Sequence, residues 1–316
     1  QPQERRLVRG IVLNNVDRES SALQAGIKWI EDRSGIPVLG AVPYLSQVVL
    51  SDDSLTVIEK YGRRVSSVEG ITIAVIHLPR ISNFTDFEPL EAEASVTVKY
   101  LHPRDPLGHP DAVIIPGSKA TIADLLVLHK SGMGEALKNY VAAGGTVLGI
   151  CGGFQMMGKV LHDPEGLEGS EHRYRGLGLL PVKTVISGQK IARQRQVTSI
   201  YPEVGLPISG YELYHGRTSL ADFDPADQPE QFKCSQLFDE PGLGIVDSNL
   251  SVWGTYLHGL FDNGPWRRSW LNRLRQRRGL QSLPTGIANY REQREALLDN
   301  LANSVESYLN LSTLLS

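Results

Sequence analysis

Cysteine is nearly absent from this chain: Cys151 and Cys234 are the only two in 316 residues. A pair this sparse cannot make a disulfide framework and fits a reducing compartment. No apolar run approaches the roughly 20 residues of a membrane-spanning helix. Residues 1–10 are polar and charged, without an apolar signal core, so a cytoplasmic location is expected. Surplus charge is missing too. With 32 Lys and Arg against 35 Asp and Glu, the formal net charge is −3, which argues against a general binder of nucleic acid or anionic membrane but leaves room for a local basic patch. No internal repeat and no initiating Met are present, and the chain is expected to be part of a longer protein.

What is there is an α/β pattern around one pointed motif. Residues 146–150, Thr-Val-Leu-Gly-Ile, form a short β-branched run of the kind that makes a buried parallel strand. A helix is expected directly after it. Cys151 stands between the two in Gly149-Ile150-Cys151-Gly152-Gly153, the cysteine form of a nucleophile elbow, whose glycines let the backbone turn sharply and leave the sulfur exposed. The helix N-terminus favours the thiolate, and the backbone N–H of Gly152 is positioned for an oxyanion. A buried, inert cysteine at a tight junction is the plainer alternative.

Strands are expected at residues 7–14 and 36–42, with a helix at 21–34 between them, a β-α-β unit that cannot enclose a core alone. Residues 51–69 read as a linker. A second α/β pattern begins at residue 71, with strands at 71–78, 94–100, 112–115 and 146–150 and a helix over about 122–143. Such a sheet is mostly parallel and carries its sites beyond the carboxyl ends of the strands, where Cys151 and Pro116-Gly117-Ser118 fall. A β-rich stretch at 177–220, an acidic loop at 222–230 and an amphipathic helix at 287–309 complete the pattern.

A cysteine nucleophile needs a base, and eight histidines compete. His258, in Gly254-Thr255-Tyr256-Leu257-His258-Gly259, follows a β-like run and is bracketed by glycines, and His215 is its rival. A lone histidine is more often structural than catalytic. Neither has a carboxylate two residues on, so no orienting third group is visible locally.

The segments Leu78-Pro79-Arg80-Ile81-Ser82-Asn83-Phe84-Thr85-Asp86-Phe87, Ile114-Ile115-Pro116-Gly117-Ser118-Lys119, Gly149-Ile150-Cys151-Gly152-Gly153-Phe154-Gln155, Gly210-Tyr211-Glu212 and His258-Gly259-Leu260-Phe261-Asp262-Asn263 together resemble the cobyric acid synthase family. The resemblance implies a class I glutamine amidotransferase-like, doubly wound, mostly parallel sheet at residues 70–266. Before it would come a remnant of a P-loop, dethiobiotin-synthetase-like α/β domain at 1–50, and after it a helical segment at 267–316. It further implies glutamine as substrate, with Cys151 as nucleophile, His258 as general base and Gly117 and Gly152 as oxyanion donors. Gln155 would contact glutamine or cap the helical turn, and Glu212 would orient a histidine or contact glutamine. Ammonia would pass to the side-chain carboxylates of a corrinoid, cobyrinic acid a,c-diamide, in cobalamin biosynthesis. ATP and Mg²⁺ belong to an amidoligase domain or subunit, and no cofactor, metal, nucleic acid or membrane is expected for this chain. The alternatives are a cobyrinic acid a,c-diamide synthase or isoglutaminyl synthase type of amidotransferase, and a non-catalytic subunit docked on a synthetase.

Some residues depart from the family pattern. Gly153-Phe154-Gln155-Met156-Met157-Gly158-Lys159-Val160 is a near match to a phosphate-binding loop, but Val160 replaces its hydroxyl and the segment continues the elbow helix. Asn14-Asn15-Val16-Asp17-Arg18-Glu19 stands where Asn-Lys-Phe-Arg-Gly-Asp is usual, and Ala120 stands in place of an asparagine. The arginine-rich stretch at 267–278 reads as the solvated face of an amphipathic helix in preference to a nucleic-acid surface. Cys234 has no visible base and is given no role.

Overall fold

Alternation of side chains about a strand gives each β-run two faces, and runs buried on both faces must lie inside a sheet covered on each side. The computed structural model, which describes residues 7–17, 22–43, 70–221 and 234–310, shows how these runs assemble. Two compact units result, one of Leu55–Tyr290 and one of Gln1–Ser54 with Arg291–Ser316. The expected linker at 51–69 and acidic loop at 222–230 lie outside the described residues.

In the smaller unit β1 (Ile11–Val16), α1 (Ala22–Ser34) and β2 (Val38–Pro43) form the expected β-α-β element. Its two strands pair in parallel, and α1 has no buried residue.

The larger unit begins with β3 (Ile71–Ile76), a 3₁₀ turn at Phe84–Phe87, α2 (Glu88–Glu91), β4 (Val96–Leu101) and β5 (Ala112–Ile115). The expected single helix over 122–143 is two, α3 (Thr121–Ser131) and α4 (Met133–Ala142). Gly132, at φ 85°, adopts the left-handed conformation that ends a helix and that glycine takes without strain. Next come β6 (Thr146–Ile150), α5 (Gly152–Met157), β7 (Val160–His162), β8 (Arg173–Arg175), β9 (Val182–Thr198) and β10 (Pro207–Leu220). They are followed by β11 (Cys234–Gln236), β12 (Gly244–Asp247), β13 (Val252–Thr255), β14 (Leu257–His258) and α6 (Gly264–Arg277). The described chain ends with α7 (Tyr290–Glu306), shorter than the 287–309 expected.

The main sheet has the order β11-β12-β13-β6-β5-β3-β4. Its strands from β13 to β4 are parallel, and β12 and β11 add an antiparallel edge. Period-two alternation splits the core: Ile71, Ile73 and Val75 of β3 face Trp253, Trp266 and Trp270, whereas Ala74 and Ile76 face Leu125, Leu128 and Leu137. A second sheet, β14-β10-β9-β7-β8, flanks the first. Within it Tyr211 of β10 stands opposite His258 of β14.

Helix α6 corrects the reading of the arginine-rich stretch. Its Arg267 and Arg275 are buried with Trp266, Trp270, Leu271 and Leu274. Arg267 and Arg268 grip Glu93 at 3.0 and 2.5 Å, Arg275 donates to the Gln281 carbonyl at 2.7 Å, and Arg277 donates to Thr146 at 2.6 Å. Trp266 and Trp270 pack edge-on against Trp253, 5.7 and 5.8 Å between ring centres, which places α6 in the unit of Leu55–Tyr290.

Candidate active site

The elbow forms because two glycines let backbone segments approach where any side chain would collide. A Cβ on Gly153 would meet the Ile115 carbonyl oxygen at 2.0 Å, and one on Gly149 would meet the Gly153 carbonyl carbon at 2.7 Å. Between them Cys151 adopts φ 54°, ψ −112°, a conformation that non-glycine residues avoid and that costs about 1–3 kcal/mol. Its N–H is tied to the Thr255 carbonyl at 2.8 Å. The thiol lies 3.4 Å from the Leu213 carbonyl, and Cys151 favours the charged form of His258.

His258 is only 1% exposed. The Tyr211 ring stacks on it at 5.2 Å and 20°. Its Nδ1–H donates to Asp86 Oδ2 at 2.7 Å, and Asp86 Oδ1 accepts the Gly259 N–H at 2.9 Å. The side-chain nitrogen of Asn83 rests against the imidazole edge, 2.9 Å from Nδ1 and 3.3 Å from Nε2. Burial alone would lower the pKa of His258, but hydrogen bonds and charge interactions with Asp86 and Cys151 outweigh it and push it up to about 10. The carboxylate thus fixes the tautomer and stabilises an imidazolium beside the sulfur.

Asp86 reaches His258 because the chain turns at Asn83, at φ 55° and ψ 54°, a left-handed conformation that asparagine tolerates. The strap that carries both residues also holds the loop after β5. Ser82 N–H donates to the Gly117 carbonyl and Lys119 N–H to the Arg80 carbonyl, each at 2.9 Å. Gly117 sits at the centre of the site: a Cβ there would meet Ser82 Oγ at 2.8 Å, His258 Cε1 at 3.5 Å and Cys151 Cβ at 3.7 Å. Gly152, first in α5, has room of only 3.0 Å toward Ser118 N. Behind His258, the buried Asn263 side chain accepts from Ser209 N–H at 2.9 Å and donates to the carbonyls of Ser209, Gly259 and Leu260 at 2.9, 3.2 and 3.0 Å.

Cys151, His258, Gly117 and Gly152 therefore come together. Glu212 does not join them. One residue along β10 from Tyr211, it points to the opposite face, where Arg195 Nε lies 2.5 Å away and Tyr214 donates to it at 3.2 Å; it does not orient His258. Gln155 is buried with its amide engaged, donating to the His215 carbonyl at 2.8 Å and Tyr256 Oη at 3.2 Å and accepting from Thr121 Oγ1 at 3.3 Å. His215 is solvent-exposed. The residue that sequence reasoning missed is Asp86, although it lies within the Arg80–Asp86 segment already singled out. In the near match to a phosphate loop, Gly153–Met157 is helical and buried. Among the described residues no group of three or more His, Cys, Asp or Glu side chains could hold a metal ion, and no helix is long and apolar enough to cross a membrane.

A thiol on a strand-to-helix elbow, an imidazole oriented by a buried carboxylate and two converging backbone segments define the thiol-dependent acyl-transfer class of site. A family model, the CobB/CobQ-like glutamine amidotransferase domain, matches residues 72–266, and the chain belongs to that family. It is similar to the cobyric acid synthases of Nostoc punctiforme (59% identity over 316 residues, 100% of this chain and 63% of that protein) and Trichormus variabilis (56% over 315 residues, 100% and 63%). It spans about 63% of the length of these curated relatives. A solved glutamine amidotransferase aligns with a TM-score of 0.47 at 15% identity, covering 65% of this chain and 98% of that one.

Proposed function

We propose that this chain is the glutamine-hydrolysing part of a cobyric acid synthase. Cys151 Sγ attacks the amide carbon of glutamine, and the oxyanion takes hydrogen bonds from the N–H groups of Gly117 and Gly152. The imidazolium of His258 protonates the departing nitrogen as the C–N bond breaks, leaving a γ-glutamyl thioester and ammonia. His258 then takes a proton from water, which attacks the thioester, releases glutamate and restores the thiol. Asp86 holds Nδ1–H throughout. What carries this reading is the Asp86–His258 hydrogen bond at 2.7 Å, together with the convergence of His258 and Cys151 on Gly117.

Ammonia passes to a corrinoid carboxyl, cobyrinic acid a,c-diamide being the acceptor, activated by ATP and Mg²⁺ in an amidoligase domain or subunit in the cytoplasm. Residues 1–50 are the end of that P-loop, dethiobiotin-synthetase-like domain. The parallel β1–β2 pair, with a helix that buries no residue, supports this assignment.

The test is covalent labelling with diazo-oxo-norleucine, a glutamine-like electrophile, followed by peptide mass spectrometry. Cys151 should carry the adduct, and His258→Ala should abolish labelling near neutral pH with the fold intact. Cys234, whose thiol burial and Asp247 push up to about 11, should stay unmodified. Labelling of Cys234 with Cys151 untouched would overturn the assignment.

A further inference from the structure

Helix α3 follows the loop of Gly117 directly, so the direction of the Gly117 N–H depends on how the first turn of α3 is held. The first N–H groups of a helix need acceptors from outside it. Ala120, at the N-cap, has no side chain that can serve. The first turn is held from two sides. Asp124, in the first turn, takes Ser118 Oγ at 2.7 Å and the Arg80 N–H at 3.2 Å, which ties the turn to the loop and to the strap. From outside, Glu168 Oε2 accepts the Ile122 N–H at 3.0 Å, and the adjacent Thr121 N–H favours its charged form. Thr121 in turn donates to Gln155 in α5.

Glu168 reaches this helix end from a turn built for the purpose. Asp163, fully buried, accepts the N–H groups of Leu167, Glu168 and Gly169 at 2.9, 2.9 and 3.0 Å. That turn directs Glu168 across 46 residues of sequence to α3. Burial, with Asp163 nearby, raises the pKa of Glu168 against the pull of the two helix N–H groups and of His215. A carboxylate kept at such a site serves the helix end it caps.

We infer that Glu168 is a positioning residue for the oxyanion loop: by capping α3 from a remote turn it sets the Gly117 N–H relative to Cys151. The inference rests on the glutaminase reading above. It separates two chemistries at one sulfur. Displacement of iodide from iodoacetamide needs the thiol and His258 but forms no oxyanion, whereas glutamine hydrolysis needs all three.

The experiment compares Glu168→Ala and Glu168→Gln with the parent 316-residue chain. Iodoacetamide alkylation of Cys151 should stay within about twofold of the parent in both, and kcat for glutamine hydrolysis should fall about tenfold or more in Glu168→Ala, with KM little changed. Glu168→Gln should recover most of the loss, because its carbonyl oxygen still accepts an N–H. An unchanged kcat in Glu168→Ala, a parallel loss of alkylation and hydrolysis, or a glutamine variant no better than alanine would overturn the inference. A parent chain that is alkylated by iodoacetamide yet inert toward glutamine would instead remove the glutaminase reading, and this inference with it.

Discussion

At the scale of single residues, the site turns on the proton of His258. With its pKa pushed up to about 10, His258 is an imidazolium through neutrality, so in the proposed mechanism it acts first as an acid toward the departing ammonia and only later as a base. Asp86→Asn removes the carboxylate charge and leaves only a neutral amide oxygen to accept Nδ1–H, so the histidine pKa should fall. The alkaline limb of kcat should then move from near pH 10 toward neutrality, with kcat down about 10²-fold or more; a pH–rate profile of both proteins checks it. A raised histidine pKa also stabilises the fold, fully below about pH 6.5 and progressively less as pH rises through about 10. Denaturant midpoints should therefore drop with alkalinity more steeply in the parent than in Asp86→Asn. Cys151 and His258 were legible in the sequence because their signals are local, a glycine-flanked turn and a strand-end histidine. Asp86 was not, because it meets His258 across 172 residues of sequence. That Glu212 faces away from His258 was not legible, because its face depends on strand parity, which only the pairing of Tyr211 with His258 reveals.

At the scale of elements, the site is a junction of turns pinned by side chains. Asn263, at the end of the His258 segment, satisfies four backbone groups of β10 and the following turn. Asn263→Ala removes four hydrogen bonds, although the Gly259 and Leu260 carbonyls keep the Asp262 and residue-263 N–H groups as donors, and should cost about 2–4 kcal/mol, read as a lower urea midpoint at unchanged slope. Glutaminase activity should fall with it, since the turn carries Gly259, the donor to Asp86. The strands at 112–115 and 146–150 were legible to the residue because buried parallel strands are short, β-branched and sharply bounded. The break at Gly132 was not, since an isolated glycine in a helical pattern is ordinarily tolerated. Nor was the burial of Arg267: its partner Glu93 lies 174 residues earlier, and charge on a helix reads as solvated until its partners are seen.

At the scale of the whole molecule, the proposed glutaminase site is not matched by a phosphate-binding sequence motif. No G-x-x-x-x-G-K-[ST] occurs in its 316 residues, and the near match lies in the elbow helix. The chain alone, given ATP, Mg²⁺, glutamine and adenosyl-cobyrinic acid a,c-diamide, should form no new amide. Addition of an ATP-binding amidoligase domain should restore the mass change of each carboxyl-to-amide conversion. Amide formation without that addition would reveal a nucleotide site in this chain.

The left-handed backbone of Cys151 has a consequence for evolution. Glycine at that position would relieve the turn of its strain, so a molecule without the proposed nucleophile would be the more robust one. Random mutagenesis screened for heat resistance alone would drift toward loss of the nucleophile. A gene copy released from its metabolic duty would meet no structural resistance to the same change, and its product would persist as a well-folded relic.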